Sequence, residues 1–208
     1  NIPSATKLDG TTKLLGREMR ELWCAPRNRL LVGVDAEGIQ LRIFAHYIND
    51  PEFTKALLQG KKEDGTDPHS LNGRILRCSR DSAKTFIYAF LLGAGDSKLG
   101  EVIGGSTSDG RKAKARFIES YPGLHHLKRN IIPKDAERGY FKSFDGRIVV
   151  CDSEHLMMAG YLQCGEACVM KHSIIEMLRR IKQEDIRAKM INFVHDEVLF
   201  ETRSPREQ

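Results

Sequence analysis

Residues 30–47 read LLVGVDAEGIQLRIFAHY, and this stretch decides the fold. Leu30 to Val34 is an unbroken apolar run of strand length, which predicts a short buried strand. Asp35 stands at its end. Beyond it Ile39, Ile43, Phe44 and Tyr47 recur at helical spacing, so a helix follows at once. A charge at the tip of a buried strand is costly unless a cation meets it. The pattern has a counterpart far down the chain. Ile191-Asn192-Phe193-Val194 leads into His195-Asp196-Glu197, and Val198-Leu199-Phe200 leads out. That is a hairpin with acidic residues at its turn. If the first strand neighbours this hairpin, Asp35 and Asp196 converge. Two converging carboxylates suit a pair of divalent ions in a phosphoryl-transfer site.

The 208 residues make one large domain or two small ones, and 40% hydrophobic content is enough for a core. Against 28 acidic side chains stand 33 basic ones, a net charge of +5. Such an excess fits a polyanionic partner without requiring one. The five cysteines are odd in number and irregularly spaced. Cys164 and Cys168 lie four apart on an expected helix, but no His pair nearby completes a zinc set. Free or buried thiols in a reducing compartment are expected. No signal peptide or membrane-length apolar run is visible, so the expectation is a cytoplasmic protein with no membrane partner. The chain opens on Asn1 and stops in polar residues 203–208, which reads as a piece of something longer.

Residues 1–13 are polar and loop-like, 14–22 have helical spacing, and 23–29 form a connector containing Pro26. Asn49-Asp50-Pro51 breaks the chain and restarts a helix over 52–58. A charged, Gly-containing loop over 60–68 follows, and His69 opens the next helical stretch. The clearest helix is 80–92, with Ser79 as N-cap and Gly93-Ala94-Gly95 as its end. After residues 96–102 comes a flexible run, 104–108. Asp109 then caps a basic helix through Ser120, stopped by Tyr121-Pro122. Residues 139–150 read as a hairpin turning at Asp145-Gly146. A long amphipathic helix over 159–182 leads to the acidic hairpin. No internal repeat appears. The order predicts an α+β fold: a small antiparallel sheet with helices packed on it.

Arg80, Lys84 and Tyr88 are spaced four apart and form one slowly drifting stripe, while Ala83, Phe86, Ile87 and Phe90 can pack elsewhere. Arg offers a fork and Lys a point charge, so the two suit successive phosphates of a triphosphate, with Tyr88 against a sugar or base. A solvated basic face with an aromatic at its edge would look the same. A cationic helix together with metal-binding carboxylates makes a nucleotidyl-transfer set.

Together these stretches resemble family A DNA polymerases, most closely the replicative enzymes of short-tailed bacteriophages. Asp35-Ala36-Glu37-Gly38-Ile39-Gln40-Leu41-Arg42 resembles the family's first palm motif. Arg80, Lys84, Tyr88 and Gly93 resemble its fingers helix, and Val194-His195-Asp196-Glu197 its last palm motif. Asn1-Ile2-Pro3 resembles the segment before the palm, and Gly146-Arg147 and Gln163 the stretch between fingers and last motif. The likeness spans nearly the whole chain, with three motifs in order. It implies a small antiparallel palm sheet with packed helices plus a mainly helical fingers subdomain. Residues 1–48 and 139–208 would be palm and 49–138 fingers, with thumb and exonuclease outside this sequence.

The resemblance also implies roles. Asp35 and Asp196, with the backbone carbonyl of Ala36, would hold two magnesium ions. Glu197 would support them, or be only a charged hairpin residue. Arg80 and Lys84 would bind the incoming dNTP, Lys84 acting also in catalysis, with His69 assisting at the phosphates and Tyr88 packing on the sugar. His195 would contact the primer end. Gln163 and His155 would reach the minor groove of the template–primer, where contacts check pair shape without reading sequence. His155 suits an ordinary surface position equally well. DNA template–primer and dNTP are the implied partners, with a processivity factor as a further candidate.

The departures are as informative. The family usually has Glu where this chain has Gln40, and that Glu excludes a 2′-hydroxyl while bonding a fingers Tyr. The Tyr position is Leu92 here, so Gln40 loses charge and partner together. Gln40 would still occupy the nucleotide site. Glu37 adds a carboxylate two residues from Asp35, either on the same strand face or pointing to solvent. The loop before His69 also departs from the family. The function expected is template-directed DNA synthesis in phage replication, in the host cytoplasm. A single-subunit RNA polymerase or sugar-promiscuous enzyme, and an inactive nucleic-acid-binding fragment, stand as alternatives.

Overall fold

The computed structural model describes residues 15–22 and 24–203. In chain order the elements are α1 (Gly16–Glu21), β1 (Arg29–Asp35), α2 (Ile39–Ile48), α3 (Pro51–Gln59), α4 (Pro68–Leu76) and α5 (Arg80–Leu91). Then follow α6 (Asp96–Val102), α7 (Thr107–Glu119), α8 (Pro122–His126), a π-helical turn (Leu127–Ile131) and α9 (Ile132–Arg138). The hairpin β2 (Tyr140–Lys142) and β3 (Ile148–Val150), the long α10 (Glu154–Gln183), and β4 (Ala188–Val194) with β5 (Glu197–Arg203) complete it. Two small antiparallel sheets among many helices make this the expected α+β fold. No described helix is long and apolar enough to cross a membrane. The expected Leu14 start of the first helix, Trp23 and residues 1–13 lie outside the described residues.

The chain forms two compact units: residues up to Ala36 with those from His172, and Glu37–Lys171. In the first, β1, β5 and β4 form a sheet in the order β1-β5-β4. The central strand buries Val198 and Phe200. The edge strand β1 is not the buried strand its apolar run predicts. Leu30, Val32 and Val34 are 43%, 43% and 40% exposed, because β1 pairs on one side only.

The second unit is helical around an aromatic core. Phe117 of α7 stands against Phe44 of α2, Phe86 and Phe90 of α5, and Tyr121, with ring centroids 5.1–6.4 Å apart. Phe53 of α3 meets Phe44 edge-on at 5.5 Å. This core takes up Ala83, Phe86, Ile87 and Phe90, all at most 5% exposed, which turns Arg80, Lys84 and Tyr88 outward. Such aromatic pairs add about 0.5–1.5 kcal/mol each beyond area burial.

Local chemistry accounts for most boundaries. Asp50 and Asp67 cap α3 and α4 ahead of prolines at the first helical position. Ser79 caps α5, accepting from the amide of Ser82 at 3.1 Å, and Gly93 at φ 84° ends it. The expected cap at Asp109 is corrected. Ser106 caps α7 in a reciprocal box, its hydroxyl accepting from the Asp109 amide while Asp109 accepts from the Ser106 amide at 2.8 Å. The run 104–108 is therefore partly the start of a capped helix. Helix α10 begins at Glu154, five residues before the sequence pattern becomes amphipathic.

Candidate active site

The acidic end of the sheet is built by pairing register. β1 and β5 are antiparallel with Asp35 opposite Glu197, and β4 pairs Val194 with the same Glu197. His195 and Asp196 therefore form a two-residue turn, and His195 takes the positive φ, 55°, that such a turn demands of its first residue. The amide of Ala36 donates to the carbonyl oxygen of Asp196 at 2.9 Å. This bond ties the end of β1 to the turn and brings the chain at Asp35 beside Asp196, the convergence expected. A methyl built on Gly33 would lie 2.9 Å from Oε1 of Glu197, so that carboxylate lies back across β1. Asp35, His195 and Glu197 are exposed and Asp196 is half-buried. Among the described residues none of the three carboxylates is in an ion pair.

Two aspartates and a neighbouring backbone carbonyl form an all-oxygen donor set, which suits a hard cation that keeps several waters. Among the described residues no group of three or more His, Cys, Asp or Glu side chains is clustered for a metal. The cysteines are free, and Cys164 donates to Ser143 Oγ at 3.2 Å. Glu37 does not extend the strand face. β1 ends at Asp35, and Glu37 lies in the turn before α2, where its carbonyl accepts from Arg42 Nε at 3.0 Å.

The second unit carries a cavity of about 400 Å³ lined by the predicted His69, Arg80, Lys84 and Tyr88, together with Arg42, Lys62, Asp67 and Glu37. Arg80 is held in place. Its Nη2 lies 3.0 Å from Oδ1 of Asp67, which is 6% exposed, and its Nε donates to Oδ2 at 3.2 Å. Burial by itself raises the Asp67 pKa. The hydrogen bonds from Ser70, Arg80 and the His69 amide outweigh it and hold the carboxyl below its ordinary range. Lys84 and Lys62 have no carboxylate within ion-pair distance among the described residues. The His69 and Tyr88 rings stand 6.2 Å apart. Burial lowers the His69 pKa; Asp67 opposes, while Arg80 and Lys84 add to the lowering. Its Nδ1 is buried with no hydrogen-bond partner. A cavity with these cations and a neutral imidazole is suited to a polyanion such as a triphosphate.

Gln40 is half-buried on the first turn of α2, between Gly38 and Leu41, which line the same cavity. It is not left without a partner. Its Nε2 donates to Oε2 of Glu166 on α10 at 2.9 Å. Leu92, half exposed, caps the C-terminus of α5. Gln163 is exposed on α10, one turn before Glu166. His155 lies in the first turn of the same helix and abuts the end of α5, since a methyl on Gly93 would stand 3.1 Å from its carbonyl oxygen.

Sequence reasoning missed Asp67, Lys62 and Glu166. Asp67 carried a signal, an Asp directly before a helix-initiating Pro. Glu166 carried one too, since it interrupts the stripe Leu162, Glu166, Met170, whose members are 1%, 6% and 3% exposed. Lys62 had none.

The chain matches the family model for DNA polymerase family A over residues 1–208. It is 30% identical to a DNA-directed DNA polymerase of Escherichia phage Phieco32 over 82% of this chain and 33% of that protein. It is also 30% identical to that of Escherichia phage T7, over 95% of this chain and 32% of the relative. The chain thus spans about a third of the length of these curated relatives. In fold it is similar to the "POL domain of Pol1 from M. smegmatis complex with DNA primer-template and dNTP". The TM-score is 0.80 at 20% identity, over 100% of this chain and 38% of the other. With the family model matched from end to end, the chain belongs to DNA polymerase family A.

Proposed function

We propose that this chain carries the nucleotidyl-transfer centre of a template-directed DNA polymerase acting in phage replication, in the host cytoplasm, on a template–primer and dNTPs. The observation that carries the reading is the bond from the Ala36 amide to Asp196, which ties the two aspartate-bearing segments together. The acidic strand end of the first unit and the cation-lined cavity of the second are of opposite sign and suit the metal and phosphate halves of that chemistry.

Asp35, Asp196 and the Ala36 carbonyl would hold two magnesium ions, which supply positive charge for the 3′-hydroxyl and the phosphates. In the reaction the primer 3′-hydroxyl releases its proton to water, its oxygen bonds to the α-phosphorus, the bond from that phosphorus to the bridging oxygen breaks, and pyrophosphate leaves. Lys84 meets the charge that builds on the reacting phosphate, and Arg80 binds the triphosphate. Lys84 is unneutralised and Arg80 is pre-oriented by Asp67, so little reorganisation is needed at the moment of reaction. His69 donates a ring N–H to a phosphate. Tyr88 packs on the sugar, and Gln40 excludes or admits a 2′-hydroxyl. His195 touches the primer end, and Gln163 and His155 meet the minor groove. Residues 1–48 and 139–208 act as palm and 49–138 as fingers.

The test is primer extension with Asp35→Ala and Asp196→Ala in the full-length protein, with DNA binding measured alongside. Loss of extension with DNA binding kept is expected. Extension within tenfold of wild type for either variant removes the assignment.

A further inference from the structure

We propose that Glu166 is a positioning residue for sugar selection, acting through Gln40. The inference rests on the polymerase reading above and on Gln40 being the side chain beside the sugar. Glu166 is 6% exposed, and among the described residues no cation forms an ion pair with it. A buried carboxylate is rare unless something satisfies it. Its hydrogen-bond donor here is Nε2 of Gln40, at 2.9 Å.

The bond fixes which way the amide faces. An ionised carboxylate only accepts, so the amide turns its NH2 toward Glu166, and a flipped amide would set oxygen against oxygen. Oε1 of Gln40 is then the atom left for a neighbour on the other side. Held in this way, Gln40 is an obstacle where a 2′-hydroxyl would sit. It is also a side chain that cannot swing aside without leaving Glu166 unsatisfied. Glu166 thus supplies the anchoring that Leu92, with no polar atom, cannot.

The helix crossing holds the pair at close range. A methyl built on the adjacent Gly165 would lie 2.9 Å from Cγ2 of Ile43 on α2 and 2.8 Å from Cε2 of Phe144. Only a glycine admits α10 this near α2, one turn along from Gln40. The hydrogen-bonded pair is part-buried and sits at a tightly packed crossing.

The experiment measures kcat/KM for a dNTP and the NTP of the same base in the full-length protein. The set is wild type, Glu166→Ala, Glu166→Gln, Gln40→Glu, Gln40→Ala and the reciprocal exchange Gln40→Glu with Glu166→Gln. Glu166→Ala is expected to lower the dNTP/NTP ratio about tenfold, the worth of a charge-assisted hydrogen bond. The fall should come through a higher kcat/KM for NTP, a gain that a merely damaged fold does not give. Glu166→Gln keeps an acceptor and should stay within about threefold of wild type. Gln40→Glu sets two carboxylates face to face and should impair both substrates. The reciprocal exchange restores donor and acceptor with their places swapped, and should recover the ratio even if Glu166→Ala fails to fold.

An unchanged ratio in Glu166→Ala, or an exchange no better than Gln40→Glu alone, overturns the proposal. A Gln40→Ala ratio equal to wild type also overturns it, because Gln40 then does not touch the sugar, while the polymerase reading stands. No nucleotide addition by the wild-type protein removes the polymerase reading itself.

Discussion

Arg80 and Asp67 form a buried-side ion pair in which Nη2 stands 3.0 Å from Oδ1 and Nε donates to Oδ2. The same carboxylate accepts from the His69 amide at 3.1 Å and from Ser70 Oγ at 2.5 Å, so it caps α4 and orients Arg80 at once. Removing it costs a helix cap and leaves Arg80 loose. Asp67→Ala is expected to lose about 2–4 kcal/mol, and Asp67→Asn, which keeps a capping oxygen, about 1–2 kcal/mol. The pH dependence follows in sign. The folded pKa lies below the ordinary 3.8, so the stabilisation is fully present above that value and is lost as pH falls through the folded pKa. Urea unfolding at pH 7 and pH 3 should show the gap between wild type and Asp67→Asn closing at the acid end. A gap that stays constant would assign the effect to packing.

Lys84 and Arg80 differ in what already occupies them. Arg80 is partly neutralised by Asp67, whereas Lys84 faces the cavity with its charge uncompensated. Lys84→Ala should therefore reduce kcat and raise the nucleotide KM, together about 100-fold or more in kcat/KM. Arg80→Ala should act mostly on KM, by about tenfold. Steady-state kinetics in which neither constant moves would leave the stripe as a solvated face.

His69 should couple nucleotide binding to protons. Burial, aided by Arg80 and Lys84, lowers its pKa below 6.5. Because the folded value is depressed, the stability it contributes is present above 6.5 and declines as pH falls through the folded pKa. A triphosphate in the cavity adds negative charge and favours the imidazolium, raising the pKa again. Nucleotide binding should then take up a proton and tighten as pH drops below about 6.5. The slope should vanish in His69→Gln. Titration calorimetry in two buffers of different ionisation heat reads the proton uptake directly, and zero uptake at pH 6 contradicts the contact.

Much of this was legible because it is local. The carboxylate after residues 30–34, the turn at His195-Asp196, and the stripe Arg80, Lys84, Tyr88 are set by short-range patterns of apolar and polar residues. Other parts depended on long-range geometry that such patterns do not carry. The apolar run of β1 predicted burial, but burial depends on which strand lies at the edge, and β1 is the edge. Asp109 reads as the cap because it precedes the basic run, whereas Ser106 three residues earlier completes the box. The partner of Gln40 lies 126 residues away, and only the crossing of α2 and α10 brings it there.

That crossing makes a last prediction possible, by comparing two glycines of the same helix. A methyl at Gly160 would stand 3.2 Å from Cε1 of Phe141, a contact that a small ring shift relieves. A methyl at Gly165 would stand 2.8 Å from Cε2 of Phe144 and 2.9 Å from Cγ2 of Ile43. Phe144 is 40% exposed and can swing out, but Ile43 is 4% exposed and cannot. Replacing Gly by Ala inside a helix gains about 0.8–1.0 kcal/mol of helix propensity, while overpacking a core costs about 1–3 kcal/mol. Gly160→Ala should thus be neutral or slightly stabilising, and Gly165→Ala destabilising by about 1–2 kcal/mol. The strain in Gly165→Ala also pushes α10 from α2 and lengthens the Gln40–Glu166 bond. Its dNTP/NTP ratio should fall along with its urea midpoint, while Gly160→Ala keeps both. A Gly165→Ala protein with a lower midpoint and an unaltered ratio would separate the helix crossing from sugar selection.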